Sequence, residues 1–397
     1  MRAGDSVNAS AAVRGGTVRD LALYFLRLGA IGFGGPIALV GYMQRDLVER
    51  QRWVSAAKFG EGLAFSQLAP GPLAAQLAIW LGWSRGGAWG ATVVGLAFVG
   101  PSFVMVAVLS ALYVHYDGLP WMRGAFYGVG AAVIAILARS AVKLMRITLA
   151  RDATLWALFA VNAAVVVATS SERFWVFIVS GVAAAAAERL TRPDLAPCIA
   201  MLTGYSLTDR LAALQAGVAE PSARGVLELL WFFGKAGAVV FGSGLAIVPF
   251  LYGGVVHEYG WLNEREFLDA VAVSMITPGP VVITVAFIGW MHSGMTGAAA
   301  AAIGVFMPVW LVVLAAAPFY ARWSNDARVR SFVRGVTAAA TGAIAGAAVV
   351  LGRRAVFDTT TAVIALVALA LLVFVRRLPD PLIILAAGAA GYLLLET

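Results

Sequence analysis

Apolar residues run along the chain in two sets of six long segments, separated by short polar stretches. The first set lies near residues 21–43, 56–82, 88–114, 124–142, 153–169 and 174–188, and the second near 229–252, 266–291, 295–319, 332–351, 359–375 and 381–395. Most segments approach the length of about 20 apolar residues with which a helix crosses the roughly 30 Å core of a bilayer. The pattern predicts an all-α polytopic membrane protein.

The second set repeats the first in register. At an offset of 208 residues, Trp53 coincides with Trp261, and Pro70-Gly71-Pro72 coincides with Pro278-Gly279-Pro280. The match continues at an offset of 207 beyond Trp80, and matched Gly, Pro and Trp residues favour duplication over chance similarity. We therefore divide the chain into a cytoplasmic tail (1–20), a first repeat (21–190), a linker (191–227) and a second repeat (228–397).

Loop charges indicate that the two repeats are oppositely oriented. Between the first two segments, the first repeat is basic (Arg45, Arg50, Arg52 and Lys58), whereas the second is mainly acidic over residues 258–269. Because Lys and Arg are retained on the cytoplasmic side, these equivalent loops are expected on opposite sides of the membrane, with the N-terminus in the cytoplasm. This favours two six-segment repeats of inverted topology, with a parallel duplication as the alternative.

Each repeat has two places where its helices are expected to break. The first is residues 32–36, partnered by 241–244, and the second is Pro70-Gly71-Pro72, partnered by Pro278-Gly279-Pro280. Glycine weakens a helix, and proline disfavours helix in the residue before it but suits the first turn of a new one. We expect the first segment to unwind near mid-membrane or turn back as a re-entrant hairpin, and the second to divide into two half-helices.

Such breaks suit the binding of an anion. A helix that starts within the membrane presents free amides and the positive end of its dipole, and paired discontinuous helices typically form the site of a secondary transporter. We expect free amides at residues 73–75 and 281–283, with Thr277 capping the second of these helices. The predicted substrate-binding residues are Arg27, Gly34, Gly35, Pro36, Gln67, Pro70, Gly71, Pro72, Gln76, Lys235, Gly242, Ser243, Gly244, Thr277, Pro278, Gly279, Pro280 and Thr284.

Charged residues in the apolar segments are few. Arg27 and Lys235 occupy the same repeat position, where each either attracts the anion or reaches toward the headgroups. Asp46, Glu61 and Asp269 are the carboxylates nearest the breaks, and each is a proton-coupling candidate or an interfacial residue.

Composition narrows the class of protein. The chain is 61% hydrophobic and 13% charged, about half the charge of a typical soluble domain, which excludes a large soluble enzymatic domain. The single cysteine and the three histidines share no ligand spacing, so no metal or other cofactor is predicted. Ser243 lacks a base in any recognisable motif, so we do not predict an enzyme.

The chain resembles the chromate ion transporter family in its long, two-repeat form. The resemblance rests on paired, ordered signatures: residues 25–29 and 33–36 with Trp53, 70–72 and 101–103 in the first repeat, and residues 233–237 and 241–244 with 260–262, 277–280 and 287–289 in the second. It covers about residues 21–395 and implies a secondary carrier that exports chromate, an oxyanion, from the cytoplasm and gives chromate resistance.

The expected partners are therefore the oxyanion and the lipid of the inner (plasma) membrane, with no nucleic acid. Three points stay open: sulfate or another oxyanion as the substrate, a passive anion channel instead of a carrier, and assembly as a homodimer.

Overall fold

The computed structural model describes residues 16–33, 35–116, 120–149, 152–169, 174–191, 221–239, 241–242, 247–320, 326–356, 358–375 and 379–395. Nearly all of these residues are helical. Residues 192–220, which make up most of the predicted linker, lie outside the described residues.

Within the described ranges, seven α-helices belong to the first repeat and seven to the second. The first seven are α1 (Val18–Ile31), α2 (Pro36–Met43), α3 (Ala56–Leu68), α4 (Leu73–Tyr116), α5 (Pro120–Thr148), α6 (Ala153–Thr169) and α7 (Phe174–Thr191). The next seven are α8 (Pro221–Val239), α9 (Ile247–Tyr252), α10 (Glu264–Ile276), α11 (Thr284–Ala316), α12 (Ala327–Ala355), α13 (Thr359–Phe374) and α14 (Asp380–Leu395). Two described dipeptides are extended, β1 (Gly71–Pro72) and β2 (Phe241–Gly242). A π-helical segment follows α2 (Gln44–Arg50), and another follows α9 (Gly253–Glu258).

The first apolar segment is broken where its glycines predict. A capping box between Thr17 and Asp20 starts α1, which ends at Ile31. Pro36 then occupies the first turn of α2, where its missing N–H costs no helical hydrogen bond. The segment is therefore two half-helices separated by residues 32–35.

The second apolar segment forms a helical hairpin. Helix α3 has 13 residues, a length of about 20 Å, and ends before Pro70-Gly71-Pro72. Helix α4 starts directly after this tripeptide, and its first arm (residues 73–85) packs back along α3, with Trp80 lying over Gly62. The predicted division into two half-helices is confirmed, and Pro70-Gly71-Pro72 is the tip of the hairpin.

A glycine turn then reverses the chain inside α4. Gly86 and Gly87 leave helical geometry, and Gly87 has a φ of +57° that non-glycine residues rarely adopt. The second arm (residues 88–116) packs against the first where Gly82 meets Gly90. The second repeat has the same turn in α11 at Ser293–Gly294, where Gly294 has a φ of +60°.

The two repeats exchange helices. Helix α5 packs against α13 and α14 of the second repeat, whereas its counterpart α12 packs against α6 and α7 of the first. Val309 and Val313 of α11 lie in the core of the first repeat, and Val106 and Tyr113 of α4 lie in the core of the second. Each repeat thus completes its core with helices from the other.

Four described helices are long and apolar enough to cross a membrane: Leu73–Tyr116, Gly124–Thr148, Val281–Phe319 and Ala327–Arg353. Shorter apolar helices of 10–17 residues accompany them. These helices confirm the predicted all-α membrane protein.

Candidate substrate site

The four predicted breaks meet at one place. Gly71–Pro72, at the tip of the first hairpin, pairs as a short parallel strand with Phe241–Gly242, the break that follows α8. In the reciprocal contact, the amide of Gly279 at the tip of the second hairpin donates a 3.0 Å hydrogen bond to the carbonyl oxygen of Gly32. Each hairpin tip therefore contacts the unwound segment of the other repeat.

Gly279 brings the second hairpin tip into close contact with the first repeat. It has a φ of +102°, and a Cβ on this residue would overlap the Ser102 hydroxyl of α4. Ser102 in turn donates a 3.3 Å hydrogen bond to the carbonyl oxygen of Gly29 in α1. A side chain larger than hydrogen would force the second tip away from the first repeat.

A small cavity lies between the tips. It is lined by Pro36, Leu39, Pro72, Ala74, Gly279, Pro280 and Val281. About 10 Å³ is open to the centre of a water molecule, room for about one water and too little for a tetrahedral oxyanion. None of the described lining residues is charged, so the tips are closed around a neutral gap.

Free amides are found at the start of α4, as the sequence predicts for the first hairpin, and Ala74 is one of the residues that line the cavity. Ala74 and Ala75 lie in the first turn of α4, where amides have no partner within the helix. No acceptor for either amide is found among the described residues. They carry the partial positive charge of the helix N-terminus.

The second hairpin differs from the expectation in two respects. The amide of Ile283 is not free, because a turn of 3₁₀ helix over Val281–Ile283 lets it donate to Pro280 at 3.0 Å. Thr277 does not cap the helix that follows, because its hydroxyl turns back to the carbonyl oxygen of Ser274 at 3.0 Å and Pro280 precedes the new helix. Thr277 is instead the C-terminal cap of α10.

Gln76 and Thr284 occupy equivalent positions one turn beyond the tips, and both are fully buried. Thr284 Oγ1 lies 2.6 Å from Ser274 Oγ and 2.8 Å from the carbonyl oxygen of Val281, so the second repeat satisfies its hydroxyl internally. Gln76 Nε2 donates to the carbonyl oxygen of Pro70 at 3.1 Å, but Gln76 Oε1 has no hydrogen-bond partner among the residues that the structure describes. That oxygen lies 3.2 Å from where a Cβ on Gly71 would be.

Neither of the two repeat-related cations is among the described residues that line the cavity. Arg27 is exposed on α1 and lies two residues before the buried Gly29, which places it on the opposite face of the helix. Lys235 is half-buried, with its Nζ 5.9 Å from the centre of the Trp231 ring on the same helix. Their part in transport stays a prediction.

The remaining predicted residues fall into two groups. Gly35, Pro36, Pro70, Pro72, Gly242, Pro278 and Pro280 lie in the breaks or next to them, and Gln67 is exposed on α3. Gly34, Ser243 and Gly244 lie outside the described residues.

The carboxylates near the breaks have different surroundings. Asp46 pairs with Arg45 and Arg50 at the surface, and Glu61 pairs with Lys58 at 3.0 Å. Asp269, the repeat partner of Glu61, is 2% exposed, and its Oδ2 accepts a 2.8 Å hydrogen bond from the hydroxyl of Tyr113 on α4. Sequence reasoning treated the three alike and missed this buried contact between the repeats.

The site is formed by interrupted helices that converge from the two repeats, with a buried amide side chain and uncharged walls. This arrangement is typical of a membrane transporter that binds its substrate between two repeats. Among the described residues, no three His, Cys, Asp or Glu side chains are grouped to hold a metal ion.

Comparison with known proteins identifies the family. The chromate transporter family model matches residues 19–186 and 227–392, so it covers both halves. The chain is 50% identical over 384 residues to a chromate transport protein of Cupriavidus metallidurans, covering 94% of this chain and 92% of the relative. It is 50% identical over 377 residues to a probable chromate transport protein of Synechococcus elongatus, covering 94% and 95%.

This chain belongs to the chromate transporter family. It is therefore a transporter and not an enzyme, as the sequence predicts. A chromate transport protein of Pseudomonas aeruginosa is a more distant relative, 32% identical over 93% of this chain and 90% of its own length. No solved structure gives a significant match to this chain.

Proposed function

We propose that this protein is a secondary carrier that exports chromate from the cytoplasm through the junction of the four breaks. The observation that carries the proposal is the crosswise contact of the two hairpin tips, Gly71–Pro72 with Phe241–Gly242 and Gly279 with Gly32. Non-helical backbone within a membrane is tolerated where protein or a water-filled cavity satisfies it, and here each repeat supplies partners for the other.

The chemistry of the junction suits an anion. The free amides of Ala74 and Ala75 and the dipole of the first arm of α4 supply positive potential without a mobile cation. The site therefore attracts negative charge while its neutral walls let the ion leave again. The chain also lacks the Gly-x-x-x-x-Gly-Lys-Ser/Thr phosphate loop of an ATP-driven pump, which supports a secondary carrier.

The proposed mechanism alternates access on the two sides of the junction. In the closed arrangement the cavity holds about one water molecule, so an oxyanion enters only when one tip separates from its partner. The opposite charges of the equivalent loops support repeats of inverted topology, in which opening on one side mirrors opening on the other. The basic loop around Arg45 and Arg50 is proposed to face the cytoplasm, as the positive-inside rule requires.

Uptake of chromate by inside-out membrane vesicles tests this proposal. We expect saturable uptake that a Gly71→Leu variant loses, because Leu at this tip would press against Val309 and block close approach of the backbone. Gly100→Leu is the matched control, since a Cβ at Gly100, in the α4 helix that follows the tip, meets open space. Chromate uptake measured with and without an imposed proton gradient shows whether transport is coupled to protons.

Three outcomes would contradict the proposal. Uptake confined to right-side-out vesicles would reverse the direction of transport. Flux that does not saturate would indicate a channel. Sulfate that competes as well as unlabelled chromate would assign the carrier to another oxyanion.

A further inference from the structure

The two hairpins carry repeat-related pairs of a carboxylate and a tyrosine. Nine residues before each Pro-Gly-Pro tip is a carboxylate, Glu61 in α3 and its repeat partner Asp269 in α10. Tyr113 of α4 has Tyr320, 207 residues later, as its own repeat partner. Tyr113 is paired with Asp269 and Tyr320 with Glu61, so each pair joins the hairpin of one repeat to a tyrosine of the other, the same crosswise arrangement as at the tips.

The pair formed by Tyr113 and Asp269 is closed. The Tyr113 hydroxyl donates a 2.8 Å hydrogen bond to Asp269 Oδ2, and the two residues are 6% and 2% exposed. The Tyr113 ring also packs edge-on against Phe126 of α5 and Phe287 of α11, with ring centres 5.5 and 5.1 Å away. A hydrogen bond and ring packing together hold the second hairpin against α4.

The equivalent pair formed by Tyr320 and Glu61 is open. Tyr320 packs edge-on against Phe65, one helical turn from Glu61, with ring centres 5.5 Å apart. Burial raises the pKa of the Tyr320 hydroxyl and the negative charge of Glu61 raises it further, so the two groups lie near each other. Within the described part of the chain no hydrogen bond joins them, and the Glu61 side chain is 41% exposed.

A neighbouring cation keeps this second pair apart. Lys58 Nζ lies 3.0 Å from Glu61 Oε2 on the same helix, so the carboxylate is held by Lys58 and not by Tyr320. The repeat partner of Lys58 is Glu266, an acidic residue held in the capping box of α10, so the second repeat has no cation at this position. An exposed ion pair contributes little free energy, and Glu61 can therefore exchange Lys58 for Tyr320 at small cost.

We propose that the two pairs are gates of the carrier, one on each side of the junction, with the outer gate shut and the inner gate open in this structure. The outer gate is Tyr113 with Asp269, beside the acidic stretch 258–269, and the inner gate is Tyr320 with Glu61, which follows the basic loop. Repeats that exchange conformations would close the two gates in turn. This inference rests on the proposed function and names the residues that control its alternation.

Labelling of the cavity from each side of the membrane tests the gates. Val281 lines the cavity, and Val281→Cys in a Cys198→Ser background places a thiol of similar size there. The cavity has room for about one water, so an impermeant maleimide reaches this thiol only when the tips separate. Right-side-out vesicles then report opening to the outside, and inside-out vesicles report opening to the cytoplasm.

Loss of the Tyr113 hydroxyl should open the outer gate. For Tyr113→Phe we expect labelling from the outside to rise about tenfold, because one buried hydrogen bond to a carboxylate is lost, without a rise from the cytoplasm. Asp269→Asn keeps an acceptor but removes its charge, so the rise should be smaller. Ser110→Ala is the matched control on the same arm of α4 and should change neither rate, because its buried hydroxyl bonds within the helix, to the carbonyl oxygen of Val106 at 2.7 Å.

The inner gate is tested by the opposite change. Lys58→Met keeps the length of the side chain but releases Glu61 to accept from Tyr320, so labelling from the cytoplasm should fall several-fold. Adding Tyr320→Phe to Lys58→Met should restore the labelling, because Glu61 then has no hydroxyl to pair with.

The outcomes separate this inference from the proposed function. Equal labelling from the outside in Tyr113→Phe and Ser110→Ala would overturn the inference, and so would an equal rise from both sides, which would mean that Tyr113 only stabilises the fold. Labelling needs no substrate. Absence of chromate uptake by a wild-type protein whose variants label as expected would therefore overturn the proposed substrate and leave the gates standing.

Discussion

At the scale of single residues, small side chains decide how closely the interrupted helices approach one another. Gly279 reaches the first repeat because it has no Cβ, and Ser102 is small enough to fit beneath it while still bonding to Gly29. Sequence reasoning identified Gly279 from its Pro-Gly-Pro context but missed Ser102 as a contact of the tip. Its signal was its place between Pro101 and Phe103 in the first-repeat signature of the family. The contact joins residues 177 positions apart, which no local pattern specifies.

Substitution of Gly279 tests this contact. Gly279→Ala should lower the free energy of unfolding by more than about 2 kcal/mol, since an unfavourable positive φ adds to the overlap with Ser102. Transport should be lost as well, because the second tip moves. Thermal unfolding in detergent and chromate flux in liposomes measure the two effects.

Gly294→Ala is the control for this prediction. Gly294 also has a positive φ, but a Cβ there would meet open space. The free energy of unfolding should therefore fall only by the cost of the unfavourable φ, about 1 to 2 kcal/mol. Ser102→Ala should partly rescue Gly279→Ala by removing the hydroxyl. Equal transport by the Gly279→Ala and Gly294→Ala proteins would show that close approach of the tip is unnecessary.

At the scale of elements, the two repeats build the same connection after α2 and α9 from different residues. A π-helical segment is followed in each by an equivalent hydrogen bond, from Trp53 to Leu47 at 2.9 Å and from Trp261 to Val255 at 2.8 Å. The residue just before each tryptophan has a positive φ, which is +54° for Arg52 and +63° for Gly260. The geometry is shared, but only the second repeat places a glycine where it is needed.

Exchanging these two residues tests whether the connection stores strain. Arg52→Gly should raise the free energy of unfolding by about 0.5 to 1 kcal/mol, because the left-handed conformation disfavours a Cβ more than the added flexibility of the unfolded chain offsets. Gly260→Arg should lower the free energy of unfolding by a similar amount. Chemical denaturation of the purified proteins gives both values, and a destabilised Arg52→Gly protein would instead assign Arg52 a stabilising contact.

At the scale of the whole molecule, the exchange of helices makes the two repeats a single folding unit. Since α5 packs on α13 and α14, and α12 on α6 and α7, neither repeat buries its last helices by itself. A two-fold axis between the repeats produces reciprocal exchange of this kind, whether the axis lies in the membrane plane, as for inverted repeats, or along the membrane normal, as for parallel ones.

Labelling of repeat-related positions tests the inverted topology. Ala57 and Arg265 are equivalent, 208 residues apart, and both are exposed. In a Cys198→Ser background, Ala57→Cys should react with an impermeant maleimide only from the cytoplasmic side, and Arg265→Cys only from the other side. Reaction of both from the same side would establish a parallel duplication.

The sequence by itself determined the elements of this protein and their repetition. Apolar length, glycine and proline act through local backbone energetics, so the helices and the places where they break followed from the order of residues, whereas the reversal of the chain at each Pro-Gly-Pro did not. The family followed as well, because its signatures lie in those same breaks.

Only the tertiary structure decided which breaks meet and which polar atoms remain unpaired. The pairing of Gly71 with Phe241, the free oxygen of Gln76 and the buried contact of Asp269 with Tyr113 each depend on residues more than 100 positions apart or on what packs around them. Arg27 was a candidate because Lys235 occupies the same repeat position. It lies on an exposed face of α1, because two residues of helix separate it from the buried Gly29 and place the two on opposite faces. Burial and hydrogen bonding across the junction are properties of the packed chain, and no local pattern encodes them.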